Sequence, residues 1–314
     1  MVFLTPKVNR DILSDAGREG DAFFIMDAAY SSTATHAGCT CLGDYIADFC
    51  NDGCTGENGS DILRAVLNGL LNGGFSGLTN GHCAVNLSVP RCLSNAIGHT
   101  IDSRSREMIC RWLEMTAFTA LFRTHDGDYG TRECGGKSSL LSAHDDEIVM
   151  RSLARWSHVF VALSEYRLRL LNEASFKGYP VVRHPMLHFP NDAKFAGTGS
   201  GRKDDIISRT CSSSFMMGDL IYVAPVLKCG VVKRKVYLPA GAWTHLWSGD
   251  EVAGPHNFGK IVEVPAPIGE PPVFIRDCET MNKFVAILRK KRIIKTNKKS
   301  PGMKSTLISS MRRR

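Results

Sequence analysis

Two short stretches of this chain carry side chains that could do acid–base or binding chemistry. Asp44 directly follows Cys41-Leu42-Gly43, a weakly apolar run that reads as the end of a strand. A carboxyl group in such a place can serve as a general acid when burial or a second carboxylate raises its pKa. Gly-Asp is equally ordinary turn sequence, with the aspartate capping a loop or helix. The second stretch is Arg123-Thr124-His125-Asp126-Gly127, after the apolar run AFTALF. A cation and an imidazole at a strand end could hold the hydroxyls of a sugar. The alternative is an Arg–Asp pair in a capped loop.

The eleven cysteines are odd in number and scattered. The only close pairs are Cys39-x-Cys41 and Cys50-x3-Cys54, and His36 and His82 could join them. Their spacing matches no zinc module, and the chain is too long and too cysteine-poor for a secreted disulfide scaffold. They read as free, partly buried thiols, with no metal site.

The elements that would position these residues alternate in type over the first 187 residues. Residues 22–26 (AFFIM) read as a buried strand, and 39–42 as another. Ser60 can cap a helix over 61–72, with Ile62, Val66 and Leu70 at helical spacing and Gly73-Gly74 ending it. Asp102 or Ser103 opens a second helix carrying Ile109, Trp112 and Leu113. The longest helix is expected from about Ser142 to Lys177. Val149, Leu153, Trp156, Phe160 and Leu163 form one continuous stripe along it, and Gly178 and Pro180 stop it. After Pro185 the pattern turns to strands, at 218–226, 236–238 and 261–264, punctuated by Gly and Pro. Residues 195–210 read as a polar, flexible insertion. The fold class is therefore α/β followed by a small β-sandwich.

Composition bounds the rest. The chain has 314 residues, 43% hydrophobic and 22% charged, the proportions of a globular protein. No apolar run approaches the roughly 20 residues of a membrane-spanning helix. The first residues lack the basic and apolar regions of a secretory signal. The compartment is therefore undetermined, cytoplasmic by default. The net charge of +8 belongs to the end of the chain. Residues 281–314 hold 12 Lys/Arg and no acid, and the other 280 hold 27 basic and 31 acidic side chains. RKKRIIKTNKK (289–299) and RRR (312–314) read as a solvated extension. The sharper reading is a nuclear-localisation or anionic-membrane contact. No aromatic follows Phe284, so nucleic-acid stacking has no platform and no nucleic-acid partner is expected.

Local motifs go further than spacing. The run Arg111-Trp112-x8-Leu121-Phe122-Arg123-Thr124-His125 resembles a signature of glycoside hydrolase family 31. So do Gly178-Tyr179-Pro180-Val181-Val182-Arg183-His184-Pro185, Gly218-Asp219-Leu220-Ile221-Tyr222-Val223-Ala224-Pro225-Val226 and Tyr237-Leu238-Pro239-x3-Trp243. The closing Pro267-Ile268-Gly269-Glu270-Pro271-Pro272-Val273-Phe274-Ile275-Arg276 is similar to the end of that family's proximal β domain. The phrases RWLEMTAFTALFRTHDG and IGEPPVFIRDCETMNKFVAILRKKRI are most similar to the bacterial sulfoquinovosidase branch.

The resemblance implies the C-terminal part of a (β/α)8 barrel over 1–187, a proximal β-sandwich over 188–280 and a basic helical or disordered tail over 281–314. It implies retaining hydrolysis of α-glycosides by two aspartates, with a carbohydrate substrate and no cofactor. Asp44 matches the general acid/base. His125 matches the substrate-binding histidine, with Arg123 beside it. Three departures stand out. The family's nucleophile segment has no counterpart before Gly20. Its strand-end arginine is replaced by Asp27. Its Asp-Ile-Gly-Gly segment corresponds to His82-Cys83-Ala84-Val85, and the aromatic position just after it is Asn86. These replacements disfavour an anionic sugar and imply a truncated or degenerate copy, or else a non-catalytic carbohydrate-binding or interaction protein. Half a barrel leaves open sheet edges, so marginal stability is expected.

Overall fold

The computed structural model describes residues 4–27, 37–42, 62–90, 103–125, 140–195, 213–253 and 259–294. In the first half, short strands alternate with helices, paired in parallel except for β5 with β7, which run antiparallel. Helix α1 (Leu4–Asp15) precedes β1 (Ile25–Met26) and β2 (Cys39–Cys41). Helix α2 (Ile62–Phe75), β3 (Gly81–His82), β4 (Val85–Asn86) and β5 (Ser88–Pro90) follow. Then come α3 (Ser103–Thr116), β6 (Thr124–His125), β7 (Leu140–Ser142), α4 (Glu147–Ala162) and α5 (Ser164–Lys177). Strands β1, β2 and β3 form a parallel sheet in that order, and β4 pairs in parallel with β6.

Three expectations about these elements change. The run 22–26 forms a strand only at Ile25–Met26. The sheet order places it on an edge, and Phe23 is 62% exposed with its ring against Gly38. Helix α2 does not stop at Gly73-Gly74 but continues to Phe75. Gly74 instead allows close approach, since a Cβ there would lie 2.9 Å from Pro180 Cγ. Gly77, at φ +85°, turns the chain, and the Leu78 amide returns to the Gly73 carbonyl at 2.8 Å.

The long helix is two helices, broken at Leu163. Val149, Trp156 and Leu163 of the stripe are buried, Leu153 and Phe160 only partly, and Val159, outside the stripe, is buried as well. The break is held by Arg167, which is buried. Its guanidinium donates to the carbonyls of Thr119 (2.9 Å), Phe160 (2.8 Å) and Ala117 (3.1 Å) and lies over the Phe160 ring. Burial pulls its pKa down to about 9, still charged at neutral pH, with three carbonyl dipoles facing the charge. Asp146 caps the start of α4, accepting from the Ile148 and Val149 amides.

The second half is rich in sheet. Strands β8 (Val182–Arg183), β9 (Phe215–Met217), β10 (Ile221–Val223), β11 (Lys233–Leu238) and β12 (Trp243–His245) are followed by β13 (Glu251–Ala253), β14 (Lys260–Pro265) and β15 (Val273–Ile275). Six of them form one sheet in the order β13-β12-β15-β10-β9-β8, and β11 pairs with β14 apart from it. The central strands FMM, IYV and VFI are buried at every position because the sheet has a core on each face. Phe215, Met217, Ile221, Val223, Val273 and Ile275 join the helical core, which includes Trp112, Trp156 and Leu170. The alternate residues Met216, Tyr222 and Phe274 pack with Val236, Leu238 and Trp243. Phe195, expected at the start of a polar insertion, is buried in this second core, and 196–212 lie outside the described residues.

The basic run expected from 281 onward begins as a docked helix, α6 (Glu279–Lys290). Met281, Phe284 and Leu288 are buried in the helical core, as is Ile294. Their i, i+3, i+7 spacing inside a cationic stretch is an amphipathic signature. Residues 295–314 lie outside the described residues. Among the described residues, no helix is long and apolar enough to cross a membrane.

Candidate functional site

The parallel pairing sets the candidate residues side by side. Ile25 and Met26 pair with Cys39 and Thr40, and Thr40 and Cys41 with Gly81 and His82. The run continues through Val85 and Asn86, which pair with Thr124 and His125. The Leu42 amide bonds the His82 carbonyl, and the Leu87 amide the His125 carbonyl, each at 2.9 Å. The ends of four segments far apart in sequence thus point the same way. That end of a parallel sheet is where α/β proteins place their ligands.

Arg123 and His125 are two residues apart on an extended segment, so they share a face. Both are partly buried. Arg123 Nη2 lies 3.9 Å from Cys41 Sγ, which brings the guanidinium to the end of the strand that leads to Asp44. Its Nε has no hydrogen-bond partner among the described residues. Asp44 itself, with Asp126 and Gly127, lies outside the described residues. A guanidinium offers five donors, and imidazole can donate or accept, so this pair could hold vicinal hydroxyls.

Two further residues belong to the same strand ends. Cys41 is in contact with Arg123, and His82, its register partner, is fully buried. Neither His82 ring nitrogen has a hydrogen-bond partner of normal geometry among the described residues. Burial lowers its pKa to about 4, with the Arg123 charge acting in the same direction. The Leu121 backbone and, less strongly, Asp27 act against both. The ring is neutral at physiological pH. Asn86 is also buried. Cys39 donates its thiol to the Asn80 carbonyl at 2.8 Å, and burial pushes its pKa up to about 12, so it is an inert packing group. Cys41, Cys83 and Cys110 are also buried, while Cys229 is exposed. Among the described residues no three His, Cys, Asp or Glu side chains gather closely enough to hold a metal ion.

The motif arginines outside this site are structural. Arg111 donates to the carbonyls of Val231, Ala266 and Pro267 and pairs with Glu114 at 3.0 Å. Arg183, buried, donates to the Pro180 carbonyl and pairs with Glu173. Trp243 Nε1 donates to the Pro239 carbonyl, closing the Tyr-Leu-Pro-x3-Trp motif on itself. The sequence pattern marks these residues but does not tell structural from functional use.

Residues 178–279 match the glycosyl hydrolase family 31 C-terminal domain. A sulfoquinovosidase from Agrobacterium fabrum is 31% identical over 290 residues, 91% of this chain and 37% of that protein. A sulfoquinovosidase from Escherichia coli is 27% identical over 90% of this chain and 36% of its own length. Among solved structures, a family 31 sulfoquinovosidase from E. rectale, in complex with an aza-sugar inhibitor, superposes with a TM-score of 0.70. It is 27% identical and covers 92% of this chain and 37% of that one. The chain therefore spans little more than a third of these relatives.

Proposed function

We propose that this chain, a relative of glycoside hydrolase family 31, is the C-terminal part of a retaining α-glycosidase that hydrolyses O-glycosyl bonds. The observation that carries the reading is 31% identity to a sulfoquinovosidase over 91% of this chain. The convergence of parallel strand ends on Arg123 and His125 agrees with it. In this reading residues 1–187 are the last strand–helix units of a (β/α)8 barrel, 188–280 the proximal β-sandwich and 281–314 the tail. Asp44 donates a proton to the leaving oxygen and then, as a base, activates water. Arg123 and His125 hold the sugar. The second carboxylate, the nucleophile, comes from a segment that this sequence does not carry, as in a truncated or degenerate copy. No cofactor is required. Asp27, where the family has arginine, favours a neutral sugar over a sulfonated one.

A second reading, a non-catalytic carbohydrate-binding protein, is favoured by His82 and Asn86. Both stand at positions that in the family face the sugar, and both are buried here.

The test begins with the intact mass of the polypeptide in its source cell, followed by α-glycosidase assay of that polypeptide. Asp44→Asn is expected to lower turnover of an unactivated α-glycoside by about 10²–10⁴-fold. Undiminished turnover in Asp44→Asn overturns the hydrolytic assignment. Saccharide binding with no turnover in either form selects the second reading.

A further inference from the structure

A groove of about 360 Å³ runs along the outer face of α5, lined by Arg169, Asn172, Glu173, Phe176, Lys177 and Asp219. The five helical residues fall at i, i+3, i+4, i+7 and i+8, one face of the helix. Phe176 is 88% exposed, the most exposed large hydrophobic residue among those described. An isolated exposed apolar side chain is unremarkable. This one, however, shares its groove with five polar side chains, four of them charged.

The polar walls are already paired with one another. Asp219 pairs with Arg169 at 2.9 Å and is 3.2 Å from the Tyr166 hydroxyl. That hydroxyl also donates to the Met217 carbonyl and accepts from the Leu220 amide, so the turn carrying Asp219 is fastened to α5. Gly218 permits the contact, at φ +57°, since a Cβ there would lie 2.3 Å from the tyrosine oxygen. Glu173 is held from below by Arg183 and from the side by Lys177 at 3.6 Å. The lining holds two cations and two anions, and both acids are ion-paired, Asp219 to Arg169 and Glu173 to Lys177 and to the buried Arg183, so no unpaired acid is offered to an ionic ligand. It offers donors and acceptors in close alternation beside an aromatic face. A neutral ring with hydroxyl edges and an apolar C–H face complements all of these, and the volume lies in the range of small-molecule sites.

We infer that the α5 face and the Asp219 turn form a surface binding site for a neutral saccharide, with Phe176 as stacking platform and Asn172, Arg169 and Asp219 as hydroxyl partners. The inference does not rest on the hydrolytic reading, because it uses none of the strand-end residues.

The test is saturation-transfer NMR titration of the full chain with maltotriose, and with trigalacturonate as the charged counterpart. Maltotriose binding is expected at about 1–10 mM. Phe176→Ala should weaken it by at least about tenfold and Asn172→Ala by several-fold, with unchanged thermal midpoints since both side chains are exposed. Val161→Ala, an exposed apolar position on α4 outside both the groove and the strand ends, should leave it intact. Absence of maltotriose binding overturns the inference. So does binding undiminished in Phe176→Ala, binding abolished by Val161→Ala, or tighter binding of trigalacturonate.

Discussion

Arg111 and Glu114 lie one turn apart on α3, both side chains 1% exposed and ion-paired at 3.0 Å, and together they hold the helical half of the chain to the sheet-rich half. Arg111 donates to the carbonyls of residues 231, 266 and 267, and Glu114 accepts from the Gly269 amide at 2.6 Å. Removing the arginine strands a buried carboxylate and three carbonyls. Arg111→Ala is expected to cost about 3–5 kcal/mol in equilibrium denaturation. Glu114→Gln keeps an acceptor for Gly269 and should cost markedly less.

The same carboxylate governs one arm of the pH response. Burial pushes Glu114 up to about 7 from its ordinary 4.5, against the pull of Arg111, the Gly269 amide and Arg155. A carboxyl group raised on folding stabilises the protein fully below its unfolded pKa and loses that contribution as pH rises through its folded one. Stability from this group should fall by about 3 kcal/mol between pH 4.5 and 7. His82, lowered to about 4, does the reverse. Its contribution is present above 6.5 and lost as pH falls toward 4. Between 4.5 and 6.5 the two slopes oppose. Urea denaturation across that window should show Glu114→Gln gaining stability with pH and His82→Gln losing it. Parallel profiles in both variants contradict the assignment.

Arg167 is the device that breaks the long helix. Arg167→Met removes donors from three carbonyls and the cation over Phe160, and should cost about 3 kcal/mol in denaturant. Arg167→Lys should recover little, because an ammonium cannot span the same three acceptors.

Gly218 stands where the backbone requires φ +57° and where a Cβ would meet Tyr166 and Leu170 at 2.3 and 2.4 Å. Gly218→Ala should lower the thermal midpoint by several degrees. Tyr166→Phe in the same background should return part of the loss, since it removes the colliding oxygen.

At the strand ends, the proposed sugar contacts make a separable prediction. Arg123→Gln and His125→Ala should each weaken binding of an α-glycoside to the polypeptide by about tenfold. The thermal midpoint should change little for His125, which is only partly buried. Competition binding with a neutral α-glycoside measures both.

Helix α3 is readable from sequence because Ile109, Trp112 and Leu113 keep helical spacing and all are buried. The break between α4 and α5 is not, because Leu163 itself conforms to the apolar stripe. The cause is a guanidinium reaching carbonyls at 117 and 119, a tertiary effect no local pattern carries. Gly74 reads as a helix stop by type, yet its partner Pro180 is a hundred residues away. At the site, Arg123 and His125 are legible as a pair through strand alternation. The approach of Arg123 to Cys41 is not, since it depends on parallel pairing of segments separated by about eighty residues.

The six-stranded sheet has one more consequence. Because β9, β10 and β15 serve two cores at once, they act as a party wall between the halves of the chain. Excising residues 178–279, the stretch that a sequence comparison would cut out as a domain, bares Phe215, Met217, Ile221, Val223, Val273 and Ile275 on one face. The unit recognisable by descent is therefore not the unit that can leave its neighbours. The two halves must melt together, or the wall must find another partner.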